Sequence, residues 1–107
     1  MINVNIETLP SGEIIGFDIF GHSGYAEIGS DIVCAAVSSA AYMVANTLTD
    51  VMNVKVDVIV SQNGRMQLKI DNKDLVRCRE LLQGFKIHII LLEDQYPKNI
   101  KVNYLEV

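Results

Sequence analysis

The chain has 107 residues, half of them hydrophobic and 21% charged, with a net charge of −4. That length fits one domain, residues 1–107, built around a single core. The acidic balance argues against direct, sequence-independent binding to nucleic acid, which needs a basic face, but leaves room for a basic partner.

Two cysteines, Cys34 and Cys78, are too few for a disulfide scaffold. Residues 1–10 lack the basic-then-apolar layout of a signal peptide. No apolar run approaches the roughly 20 residues that cross a bilayer. The expectation is a reduced cytoplasmic protein that does not enter a membrane.

In chain order, Ile2 to Glu7 alternates apolar and polar side chains and predicts a strand. "LPSGE" breaks it with Pro10 and Gly12, and Glu13 to Gly21 predicts the returning strand of a hairpin. A loop spaced by Gly21, Gly24 and Gly29 follows, and Ser30 and Asp31 are alternative N-caps for the next helix. From Asp31 to about Met52 neither proline nor glycine occurs, and apolar residues fall on nearly every side of the helical wheel. Such a helix is covered on more than one face, by the sheet and by a partner subunit.

Val54 to Gln62 alternates again, with Val54, Val56, Val58 and Val60 in register. Asn63-Gly64 has the chemistry of a tight hairpin turn, and Met66 to Asp71 is its return strand. Asn72 to Tyr96 has helical spacing through Leu75, Cys78, Leu82, Phe85, Ile89 and Leu92; Gly84 weakens it and Pro97 ends it. Ile100 to Val107 is a final strand. The order ββαββαβ predicts an α+β two-layer sandwich, with two helices packed on one sheet.

Chemistry concentrates in "GHSGYAEIGSDIVCAAVS". Cys34 falls in the first turn of the predicted helix or just past it, where unpaired N–H groups and the helix dipole favour a thiolate. The same N–H groups could receive an oxyanion. His22, twelve positions earlier among glycines, could exchange a proton with that thiol and protonate a leaving amine. The spacing by itself is a weak motif. Cys34 also reads as a small core hydrophobe, His22 as a surface loop residue, and the glycines as turn formers. Asp31 reads as a helix cap or as an orienting carboxylate. Ser38, one turn beyond Cys34, either bonds back to a helix carbonyl or touches the site. Cys78 sits on an apolar stripe and His88 on a solvated face, so the four possible soft ligands are scattered and predict no metal site.

These residues resemble the signature of the bacterial ribosomal-processing cysteine proteases: a Gly-His-x-Gly-Tyr-Ala loop at fixed spacing from Asp-Ile-Val-Cys-Ala-Ala-Val-Ser. The likeness spans the chain and includes "EDQYPKNIKV", similar to the family's acidic-Tyr-Pro ending of its second helix. Ser23 stands where many members have alanine. The resemblance implies an endopeptidase with a His22–Cys34 dyad, flanked by Asp31 and Ser38, working without metal or cofactor. It further implies a homodimer whose substrate is a large-subunit ribosomal protein carrying a short N-terminal extension. Two other classes compete: a thiol redox sensor centred on Cys34, and a non-catalytic module for ribosome assembly with Cys34 buried.

Overall fold

The computed structural model describes all residues except 23, 25, 27–30 and 62. β1 (Ile2–Thr8) and β2 (Ile14–Gly21) form the antiparallel hairpin, its connection closed by Leu9 N–H donating to Glu13 O at 2.9 Å and Gly12 N–H to Leu9 O at 2.8 Å. β3 (Val56–Val60) and β4 (Met66–Ile70) form the second hairpin. β5 (Ile100–Glu106) lies parallel to β1, giving one five-stranded sheet in the order β3-β4-β2-β1-β5.

One face of this sheet carries Val4, Ile6, Phe17, Ile19, Met66 and Leu68, all buried. The two helices, α1 (Ile32–Asn46) and α2 (Leu75–Gln95), cover that face. α1 contributes Val33, Val37, Ala41 and Val44, and α2 contributes Cys78, Leu82, Phe85 and Ile89. The rings of Phe17 and Phe85 stack at 4.5 Å between centroids, tying β2 to α2. The architecture is thus the expected α+β arrangement of helices on a sheet.

Three boundaries differ from the sequence expectation. The first helix does not run uniformly to Met52: the α-helix ends at Asn46 and widens into a π-helical segment, Thr47–Val51. Thr47 Oγ1 donates to Met43 O at 2.7 Å and Thr49 Oγ1 to Ala45 O at 3.0 Å, and such hydroxyl back-bonds loosen the backbone ladder. Asn53, with φ of 54°, then turns the chain in a left-handed conformation that Asn tolerates.

The third strand is shorter than Val54 to Gln62. Val54 is buried, donating its N–H to Leu48 O before β3 starts, whereas Val58 and Val60 are exposed on an edge strand beyond the helices. The second helix is preceded by a 3-10 turn, Asn72–Asp74, capped by Asp71, whose carboxylate accepts the Lys73 N–H.

The helical run also corrects the reading of apolar segments. Ile32–Val51 is 20 residues long with a mean hydropathy of 1.5, long and apolar enough by length and composition to cross a membrane. Its apolar character is used in the core, where Val33, Val37, Ala41, Val44 and Leu48 are buried.

Candidate active site

β2 delivers His22. The strand ends at Gly21, whose φ of 92° belongs to the left-handed region that favours glycine. A Cβ there would overlap the Met1 carbonyl oxygen, so the close approach of the N-terminal residue also requires glycine. Gly21 therefore turns the backbone out of the sheet and presents His22, which is exposed. Gly24 is also left-handed, at φ 72°, in open space. Gly29 and the alternative cap Ser30 lie outside the described residues, as does Ser23.

α1 delivers Cys34. The cap is Asp31, buried and extended, with one carboxylate oxygen accepting Val33 N–H at 3.0 Å and Cys34 N–H at 2.9 Å. Its carbonyl accepts Ala35 N–H at 3.1 Å. Cys34 thus lies on the first helical turn, half-buried, with one side against the core. Sequence reasoning left several helix-start amides free for an oxyanion, but Asp31 engages those of Val33 and Cys34.

The two elements meet at a cavity of about 370 Å³ lined by His22, Asp31, Cys34 and Ser38 together with Gly21 and Gly24. Ser38 faces this space, and among the described residues its hydroxyl takes no helix carbonyl, so the back-bond considered from the sequence is not formed. Two further walls escaped sequence reasoning. Ile2 and Ile19 add an apolar lining, and Asn63-Gly64, read only as a turn former, also lines the cavity. Strand order explains this: β4 pairs with β2 through Ile19 and Met66, which brings the β3–β4 hairpin tip beside the end of β2.

The other thiol is elsewhere. Cys78 is fully buried in α2, and burial followed by the nearby Asp74 carboxylate pushes its pKa up, only partly countered by Arg77. Its surroundings favour a neutral, unreactive thiol. His88 is exposed on α2, lining the groove between the helices. Among the described residues, no three His, Cys, Asp or Glu side chains gather in a way that could hold a metal ion.

The profile of the family described as cysteine protease Prp matches residues 1–101. This chain belongs to that family. It is a cysteine protease. The ribosomal processing cysteine protease Prp of Staphylococcus aureus is 26% identical over 105 residues, covering 97% of this chain and 99% of the relative. Two crystal structures of the Staphylococcus aureus Prp superpose on the whole fold. One, with a covalently linked product peptide, has a TM-score of 0.89 at 26% identity. The other, with a substrate peptide, has a TM-score of 0.85 at 25% identity. Each match covers 97% of this chain and 99% of the other. The α+β architecture of this chain is therefore that of Prp.

Proposed function

We propose that this protease removes the short N-terminal extension of a large-subunit ribosomal protein, using Cys34 as nucleophile and His22 as general acid and base. The observation that carries the reading is the convergence of His22 and Cys34, from two different elements, on one cavity. His22 takes the thiol proton, and the Cys34 sulfur bonds to the scissile carbonyl carbon. Backbone N–H groups near the start of α1 hold the resulting oxyanion. As the C–N bond breaks, the His22 imidazolium gives its proton to the departing amine and a thioester remains. Water, deprotonated by the same imidazole, adds to the thioester, and the C–S bond breaks to free the acid and the thiol.

A third catalytic group is unnecessary because a thiol is far more acidic than an alcohol. Asp31 acts as the cap that fixes the first turn of α1, and Ser38 as a wall of the cleft. Gly21 and Gly24, both left-handed at the cleft, let its rim adjust to bound substrate, so that the site is completed only when the correct peptide is present. The acidic chain and a basic ribosomal protein are complementary in charge. A protease with that substrate works in the cytoplasm, and the resemblance to the family favours a homodimer.

The test is incubation of the extended ribosomal precursor with wild type, Cys34→Ser and His22→Ala, followed by mass spectrometry. Wild type is expected to trim the precursor, and both variants to fall by about a thousandfold or more while retaining their circular dichroism. Cleavage that survives Cys34→Ser would end the dyad assignment.

A further inference from the structure

Asp18 of β2 is the one described member of its strand whose charged side chain is buried on the sheet face that the helices leave open. It holds Arg65 in a two-pronged contact: Arg65 Nε donates to Oδ1 at 3.0 Å and Nη2 to Oδ2 at 2.7 Å. The guanidinium lies 5.5 Å from the centre of the Phe20 ring, which sits between Asp18 and His22 in the strand's outgoing end. The hydrogen bond to Asp18, and then its charge, push the Arg65 pKa further up.

This contact stands where the backbone ladder stops. The β2–β4 register ends at Ile19 and Met66, so Phe20 to His22 on one side and Ser61 to Arg65 on the other lie beyond the last strand pair. Arg65 also organises the turn on its own side. Its N–H donates to Asn63 Oδ1 at 3.2 Å, its carbonyl accepts Ser61 N–H at 2.9 Å, and Gly64 N–H donates to Ser61 O at 3.0 Å. Asn63 and Gly64 line the same cavity as Cys34 and Ser38. Isolated surface ion pairs contribute little, but a planar fork on a nearly buried carboxylate fixes direction as well as distance.

We infer that Asp18 and Arg65 are positioning residues that hold the Asn63-Gly64 turn against the outgoing end of β2 and thereby set the width of the peptide cleft. The inference rests on the protease reading for its consequence: the clamp governs how tightly peptide is held, and leaves the thiol chemistry to His22 and Cys34. Loosening it therefore raises KM and spares kcat, whereas loss of a structural contact alone would lower stability throughout the sheet.

The experiment compares full-length wild type with Asp18→Asn, Arg65→Gln and Arg65→Lys, using a fluorogenic peptide that spans the precursor's cleavage site. Amide hydrogen exchange and the rate of Cys34 alkylation by iodoacetamide are followed in parallel. Asp18→Asn and Arg65→Gln are expected to raise KM about tenfold with kcat within about twofold. Arg65→Lys, which keeps the charge without the fork, is expected to fall between them and wild type. Exchange should accelerate at Ser61, Gly64 and Arg65 while the β1 amides and the Cys34 alkylation rate stay unchanged. An unchanged KM, or a fall in kcat with KM fixed, overturns the inference; so does exchange that rises across the whole sheet. If wild type does not cleave that peptide, the proposed substrate reading fails. The clamp is then decided by exchange alone: acceleration confined to the turn upholds it, and unchanged protection there overturns it.

Discussion

Asp31 receives the backbone N–H of Cys34 at 2.9 Å, so the residue that starts the helix is bonded directly to the residue that carries the sulfur. Capping and site geometry are therefore one interaction. The carboxylate fixes the first turn, and the first turn fixes where the sulfur stands relative to the cavity.

Replacing Asp31 separates the two contributions. Asp31→Ala removes the acceptor from Val33 and Cys34 and should cost about 1 kcal/mol in urea unfolding. Asp31→Asn retains an oxygen acceptor at the same place, and is expected to keep most of the stability and most of the peptide cleavage. Cleavage abolished in a stably folded Asp31→Asn would show that the negative charge itself takes part in the reaction.

The two thiols should separate cleanly on alkylation at neutral pH. Cys34 lines the cavity and is expected to react, whereas Cys78 is fully buried and should react only after unfolding. Mass spectrometry of singly modified protein identifies the site. The raised pKa of Cys78 also has a stability consequence with a definite sign. Folding favours its neutral form, so its contribution is complete below the unfolded thiol's pKa, roughly 8.5. It is lost as pH rises through the higher folded value. Cys78→Ala should accordingly flatten the alkaline side of a stability-against-pH profile.

Gly21 and Gly24 are both left-handed but should differ in their response to alanine. Gly24→Ala adds strain in open space, at a cost of about 1 kcal/mol. Gly21→Ala adds the same strain and also drives a methyl group into the Met1 carbonyl, so β1 and β2 must separate at the very end that presents His22. A loss of about 2–3 kcal/mol is expected on thermal or chemical unfolding. Peptide cleavage should fall further than with Gly24→Ala.

The proposed dimer can be tested at the outer groove between the helices, a space of about 680 Å³ lined by Ala36, Met43, Leu81, Gly84 and Leu92. Met43 is 55% exposed there. Such a surface suits the face of a second copy. Met43→Glu is expected to shift sedimentation from dimer to monomer. A wild-type chain that sediments as a monomer at every concentration would refute the dimer.

Much of this was legible in the sequence because it is local. Alternation placed Ile2, Val4 and Ile6 on one face of β1, and the 3–4 spacing of Cys78, Leu82, Phe85 and Ile89 placed the core stripe of α2. Neighbouring residues also narrowed the cap to Ser30 or Asp31 and put Cys34 near the first turn, but left open which cap is used and whether that thiol belongs to the core. The cleft walls do not. Asn63 and Gly64 reach the site because β4 lies between β3 and β2, an adjacency that no spacing encodes. The Asp18–Arg65 clamp joins positions 47 apart, and neither residue stands out alone. The π-helical widening after Asn46 depends on which carbonyls the threonine hydroxyls find, again a matter of three-dimensional choice.

The parallel pairing of β1 with β5 gives this protein a particular order of assembly. Asn103 bonds to Asn5 across 98 positions, Ile2 N–H is satisfied by Asn99 O, and Val107 N–H by Thr8 O. During synthesis β1 can pair with β2 early, but its other edge stays open until β5, almost a hundred positions later, has been made. Ile2 lies in that seam and also lines the cleft, so the cutting apparatus reaches its final shape only once β5 has docked beside β1.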